Sequence, residues 1–486
     1  MRVNTGCEPP QSYSQADSAP AKVMSQRYRC PDKFLNYRAS ECLSSDAGYF
    51  QIGSGTTCYG RTLGGLHRSQ PDSVLCDTLP FVSFDGTQVV LPFDPDEIID
   101  NLRLERYSGV QLSAGGSALK SVYYWFRPFM GQSMRKYAQK FRAGDWRKRQ
   151  FPRWPVDTTV ESICEKLLLL SLQASCVDRI PFIWFWPYGA RGCVSMTHDV
   201  ETAAGRDFTE RLLSIDDSFG IKSSFQIVPD GRYTVTREYL NSIRDRGHEV
   251  CVQDLNHDGR LFDEQGEFLR RVAQINRYGK EYDAKGFRSA VLYRKPEWYG
   301  HLEFAFDMSM PNVAHLDPQR GGCCTVMPYF IDEILELPLT TIQDYSLFQL
   351  LNERSTSLWK SQIESILEKN GLATFLVHPD YIIDPETQAV YKDLLTMLAQ
   401  LRERETLWFA LPRDVNTWWR ARNEMSIVED GGYWRVIGEG SERAVLAFAK
   451  IVDGQLAYEV TAGSEYPSQT KKELLKKSLP SQVVLQ

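Results

Sequence analysis

A parallel α/β fold is predicted for residues 188–424 by two observations. Short apolar runs alternate with longer amphipathic stretches from Cys193 to about Pro412, and the polar residues able to do chemistry stand where apolar runs end. The strands read as Cys193 to Thr197, Ser223 to Val228, Glu249 to Val252, Gly286 to Arg288, Thr374 to Val377 and Trp408 to Ala410. The helices between them read as Phe208 to Phe219, Arg237 to Arg246, Asp263 to Asn276, Thr356 to Lys369 and Pro385 to Arg402. Parallel strands need a crossover connection, so repeated βα units favour a parallel sheet, either doubly wound or closed into a barrel. In both architectures a ligand meets the carboxyl ends of the strands.

The flanks differ in character. Residues 1–45 carry many turn formers without periodicity and are expected to be a mobile arm. Residues 46–187 read as an accessory α+β domain, with a strand at Val89 to Phe93 and a basic amphipathic stretch from Tyr137 to Arg147. A helix follows from Thr158, where Thr158 and Glu161 fit a capping box, and its apolar positions Val160, Ile163, Leu167, Leu168 and Leu170 require a partner surface. Residues 425–464 alternate like a small antiparallel β extension, and the lysine-bearing residues 465–486 read as a solvated tail.

Composition narrows the function. A net charge of -6 provides no cationic field, and no basic run interleaved with aromatics marks a nucleic-acid surface. The longest apolar cluster, Leu167 to Leu172, is far short of the ~20 residues that span a bilayer, and Met1 to Ala21 lacks a secretion signal. Eleven cysteines without CxxC spacing fit a reduced chain. The expectation is a cytoplasmic protein with no nucleic-acid partner and no integral membrane segment; the sequence leaves the oligomeric state open.

The chemistry-bearing residues are few. Asp199 and Glu201, in Thr197-His198-Asp199-Val200-Glu201, lie two apart at a strand end and leave on one face. Gln253 and His257 follow the strand beginning at Glu249, and His378 follows Thr374 to Val377, held extended by Pro379. Tyr293 and Trp298, shortly after Arg288, are candidates to line a substrate site.

Together these residues resemble the NodB-type polysaccharide deacetylases, carbohydrate esterase family four. Thr197-His198-Asp199-Val200-Glu201 is similar to the variant first motif with a displaced second carboxylate; Gly247-His248-Glu249-Val250 through Gln253 to His257 is similar to the second. Phe287-Arg288 matches the third without its usual proline, and Leu376-Val377-His378-Pro379 matches the last. Asp307-Met308-Ser309 and Glu336-Leu337-Pro338 are similar to stretches of the variant members. The resemblance spans about residues 190 to 412. It implies a deformed (β/α) barrel and a hydrolase that removes acetyl from an N- or O-acetylated sugar or glycan precursor. It further implies Asp199 as catalytic base oriented by Arg288, His378 as catalytic acid, and Glu201 with His257 as ligands of a divalent metal, Zn first. Gln253 stands where the family has a ligand histidine. Three outcomes stay open: metal completed by Gln253, Asp254 or water, with Mn or Mg then less disfavoured; metal-free C–N hydrolysis of a small amide; or a fold that binds carbohydrate without catalysis.

Overall fold

The computed structural model describes residues 21–108 and 146–468. The stretch from Tyr137 to Asp145 and residues 469–486 of the expected tail lie outside the described residues.

The N-terminal region carries helix α1 (Lys22–Tyr28), strands β1 (Tyr37–Ala39), β2 (Gly48–Gln51), β3 (Thr57–Gly60), β4 (Ser83–Asp85) and β5 (Gln88–Leu91), and helix α2 (Pro95–Arg103). Residues 21–45 were expected in a mobile arm, and the structure corrects this. Val23, Met24, Tyr28 and Leu35 are buried, and the first two amides of α1 donate to the Asp96 carboxylate at 3.1 and 2.9 Å. These contacts are remote in sequence, so the local polar composition did not reveal them.

Helix α3 (Thr159–Ser175) and strand β6 (Arg179–Ile183) lead into the central sheet. The expected capping box does not form: the Thr158 side chain makes no cap bond, and the Thr159 amide donates to Asp157 instead. Glu161 is buried, accepting from Thr325 Oγ1 at 2.5 Å and lying 3.6 Å from Arg27. The apolar face of α3 packs on β5 and on the C-terminal strands described below.

The central sheet holds β7 (Gly192–Val200), β8 (Ser223–Ile227), β9 (Glu249–Gln253), β10 (Gly286–Arg288), β11 (Phe306–Asp307), β12 (Tyr329–Ile331), β13 (Ile334–Glu336), β14 (Leu372–Leu376) and β15 (Leu407–Phe409). Its order is β12-β13-β11-β10-β9-β8-β7-β14, parallel except for the β12/β13 pair. Crossovers run through α4 (Ala203–Ser218), α5 (Arg237–Arg244), α6 (Gln265–Glu281), α7 (Ser357–Glu368) and α8 (Pro385–Arg404), and α9 (Pro412–Glu424) follows β15. Strand β7 is buried along its whole length, as a parallel strand covered on both faces must be. One of its edges takes β14; the other is divided between β15 at 192–194 and β8 at 196–200. The far edge of β14 is met by side chains: Thr340 and Thr341 hydroxyls donate to the Leu372 and Thr374 carbonyls at 2.7 and 2.8 Å. The result is a curled, deformed (β/α) barrel.

The C-terminal strands are β16 (Ser426–Asp430), β17 (Tyr433–Ile437), β18 (Leu446–Val452), β19 (Gln455–Val460) and β20 (Glu465–Pro467). They are not a free extension, because β18 pairs antiparallel with β6, which precedes the barrel. Nor does the tail begin at 465, since β20 pairs with β17. Among the described residues no helix is long and apolar enough to cross a membrane.

The N-terminal region is locked to the barrel around Gly321-Gly322. Both glycines have positive φ (121° and 137°), and a Cβ on Gly322 would lie 2.3 Å from the Asn312 carbonyl. That close approach presents the Gly322 amide to Glu105 Oε1 at 2.5 Å and its carbonyl to the Tyr107 hydroxyl at 2.7 Å. Glu105 also takes two bonds from the buried Arg294 guanidinium, at 2.7 and 2.5 Å.

Candidate active site

Four strand ends bring the site together. Asp199 and Glu201 leave the end of β7 on one face, Gln253 ends β9, Arg288 ends β10, and His378 follows β14. Val377 extends the β14 contact by donating its amide to the Thr197 carbonyl at 3.0 Å, which sets His378 beside Asp199 and Glu201.

Arg288 is fully buried and spends its guanidinium on this cluster. Nη1 donates to Asp199 Oδ1 at 2.6 Å and to Thr197 Oγ1 at 2.9 Å, while Nε donates to the Met308 carbonyl at 2.9 Å. Ser289 stands where the resemblance expects a proline, and the Arg288 guanidinium still reaches Asp199. Gln253 Nε2 donates to the other Asp199 oxygen at 2.8 Å and to Glu201 Oε1 at 3.4 Å; its own Oε1 is buried without a partner.

Glu201 is the most open member, with 22% of its side chain exposed. Its Oε1 lies 2.7 Å from His257 Nε2 and 3.4 Å from His378 Nε2. The His257 contact is short but misaligned, so Nε2 has no hydrogen-bonded partner. His257 has a positive φ of 55°, a conformation unusual for a side chain with a Cβ, and it aims the imidazole back at the strand ends. Burial pushes the Glu201 carboxyl up, yet the His257 and His378 imidazoles outweigh it and hold the group well below its ordinary value. Burial pulls His257 down, and the Glu201 carboxylate reverses this to a net rise.

His378 is paired with a residue that the sequence did not single out. Asp344, fully buried, accepts from His378 Nδ1 at 2.6 Å and from the His378 amide at 2.8 Å. A carboxylate on Nδ1 fixes the ring and leaves Nε2 facing Glu201. Burial lowers the His378 pKa, but Asp344 and then Glu201 raise it well above the ordinary value. The Tyr381 ring stands 5.2 Å from the imidazole, with Tyr345 behind it at 5.5 Å. Asp344 follows Thr340-Thr341-Ile342-Gln343, a stretch with no periodicity or motif to mark it.

Other candidates fall elsewhere. Trp298 packs at a tilt against Phe268 and Phe262 with Lys295 over its ring, and Tyr293 is buried in the same apolar cluster, so packing rather than substrate lining explains Trp298. His198 points to the opposite face of β7, with Nδ1 on the Val377 carbonyl and Nε2 on Asp216. His248 accepts from the Ser223 amide at the amino end of the sheet. Asp254 turns its carboxylate onto the Leu255 amide and does not join the cluster.

Glu201 Oε1 with His257 Nε2, an imidazole nitrogen without a hydrogen-bond partner, fits two ligands of a divalent cation. The tightest cluster of donor atoms is a different one, Asp199, Glu201 and His378 within 4.8 Å of one another, so the expected base and acid border the same position. Gln253 turns its amide nitrogen, not its oxygen, to the carboxylates, so it would join as a ligand through Oε1 only with the amide turned over.

No protein-family model matches this chain, and no curated protein matches it. Solved structures do. A Mycobacterium smegmatis chain named as a polysaccharide deacetylase is 18% identical, with 49% of this chain and 94% of that one covered at a TM-score of 0.39. The Puue allantoinase is 13% identical, with 49% and 92% covered at 0.39. A Pseudomonas aeruginosa PAO1 chain named as a polysaccharide deacetylase is 13% identical, with 48% and 91% covered at 0.39. About half of this chain is thus similar to solved polysaccharide deacetylases, and the other half lies outside that likeness.

Proposed function

We propose that the protein is a hydrolase that removes an acetyl group from an N-acetylated, or O-acetylated, sugar. The observation that carries this reading is a base and an acid facing each other across Glu201: Asp199 held by Arg288 on one side, His378 held by Asp344 on the other. Glu201 and His257, with Gln253 through its carbonyl oxygen, would hold a divalent metal, which when bound lowers the pKa of a water and polarises the acyl oxygen. Asp199 accepts the proton of the attacking water, and Arg288 keeps its carboxylate aimed at that proton. His378 enters as the imidazolium that Asp344 favours and delivers a proton from Nε2 to the departing amine. For an ester the same proton goes to the alkoxide.

A second reading is supported by Gln253. Its amide NH2 lies between the Asp199 and Glu201 carboxylates and supplies donors that two adjacent anions otherwise lack. In that reading the site hydrolyses a small amide without metal. One experiment separates the two: metal content of protein purified without chelator, with acetate release from acetylated amino sugars before and after chelation. Acetate release lost on chelation and restored by Zn or Mn supports the first reading; turnover of acyclic amides that survives chelation supports the second. No turnover of either class by soluble, folded protein overturns both.

A further inference from the structure

Two buried acids lie behind Arg288, and neither touches the reacting groups. Asp307 and Glu336 are fully buried and directly opposite each other in register on the adjacent parallel strands β11 and β13. Side chains at paired positions of neighbouring strands share a face, so the two carboxyl groups meet. Counting donors distinguishes them. Asp307 accepts from the Ser309 amide at 3.0 Å and the Ser309 hydroxyl at 2.8 Å, whereas Glu336 accepts only from the Met310 amide at 3.1 Å. Glu336 Oε2 has no donor among the described residues. A buried carboxylate oxygen facing another carboxylate is strongly unfavourable, and one shared proton turns that repulsion into a hydrogen bond. The other groups facing the pair include Tyr299, Tyr329, Arg288 and Cys323, and burial with the Asp307 charge pushes Glu336 upward.

Both acids anchor one short segment, and that segment holds the arginine. Between the Ser309 and Met310 anchors and the end of β11 lies Met308, whose carbonyl accepts from Arg288 Nε. Ser309 Oγ, itself bonded to Asp307, accepts from the Ser289 amide next to Arg288 at 2.8 Å. Arg288 Nη2 is buried without a partner, as is Glu336 Oε2. An ionised Glu336 would compete with Asp199 for the guanidinium; a neutral one leaves the charge where the base needs it.

We propose that Asp307 and Glu336 share one proton and act as positioning residues, anchoring residues 308–310 so that Arg288 stays on Asp199. The catalytic consequence rests on the deacetylase reading, but the pairing and its effect on Arg288 do not. Glu336→Gln preserves shape, neutrality and the bond to Met310; Glu336→Ala is also neutral but removes the shape and the bond. The infrared difference spectrum of wild type minus Glu336→Gln at neutral pH is expected to contain the carbonyl stretch of a protonated carboxyl. Crystal structures are expected to keep Arg288 on Asp199 in the Gln variant and to show it displaced in the Ala variant. In the deacetylase assay the Gln variant should keep kcat within about twofold, while the Ala variant loses about tenfold or more in kcat with KM little changed. Absence of the protonated-carboxyl band, or a Gln variant with Arg288 displaced, overturns the proposal. If wild type releases no acetate, the function reading fails while the spectroscopic and crystallographic outcomes still decide this one. Should Glu336→Ala not fold, the Gln variant and the infrared band carry the test.

Discussion

Gln253 sets one amide against two carboxylates, and its substitution separates a weakened metal site from a metal-free one. Gln253→His should raise the divalent metal content of protein purified without chelator, read by elemental mass spectrometry; unchanged content would sink the metal reading. Asp199→Asn should lower kcat/KM by about 10²–10⁴-fold, the range expected when a positioned base is lost. Asp344→Asn should lower kcat with circular dichroism unchanged, because the ring of His378 loses the carboxylate that orients and charges it. Most of the site was readable at this scale, since Asp199, Glu201, Gln253, His257, Arg288 and His378 each end or closely follow an apolar run. Asp344 was not readable. It works through a bond to Nδ1 of a residue 34 positions away, and nothing local distinguishes it from a surface aspartate.

At the scale of the elements, Glu249 opens β9 but sits under the first turn of α9, accepting from the Arg413 amide at 3.2 Å. Burial pushes its carboxyl from 4.5 up to about 7. The folded state therefore binds this proton more tightly than the unfolded state. Stability is fully present below pH 4.5 and falls as pH rises through about 7, by about 3 kcal/mol for a shift of this size. Glu249→Gln removes the titration, so the Tm difference between variant and wild type should widen in the variant's favour from pH 5 to pH 8. A constant difference would contradict the assignment. The long, strongly patterned elements were read to within a few residues from sequence. Strands β11, β12 and β13 were missed because they are two or three residues long and two of them end in buried acids, which local composition assigns to loops. Helix α9 was missed because Pro412 looks like a stop, although proline is well tolerated in a first helical turn.

For the molecule as a whole, the barrel and its flanks share buried polar contacts rather than a loose linker. Glu105→Ala would leave the Arg294 guanidinium buried without its carboxylate and should cost about 3–5 kcal/mol in chemical denaturation. A change under 1 kcal/mol would show the joint to be incidental. The accessory region and the C-terminal strands were recognised as distinct in composition, but their attachment depends on pairings across the whole chain that no window of sequence reveals.

The β6/β18 pairing orders events during synthesis. Ile180, Phe182 and Ile183 emerge from the ribosome before the barrel, yet the strand that satisfies them arrives only after it. Until then β6 is an uncovered apolar edge, and such edges recruit other chains. Nascent chains stalled before residue 446 should therefore bind chaperone and sediment as aggregates, whereas chains stalled late enough to expose residues 446–468 outside the exit tunnel should be released soluble.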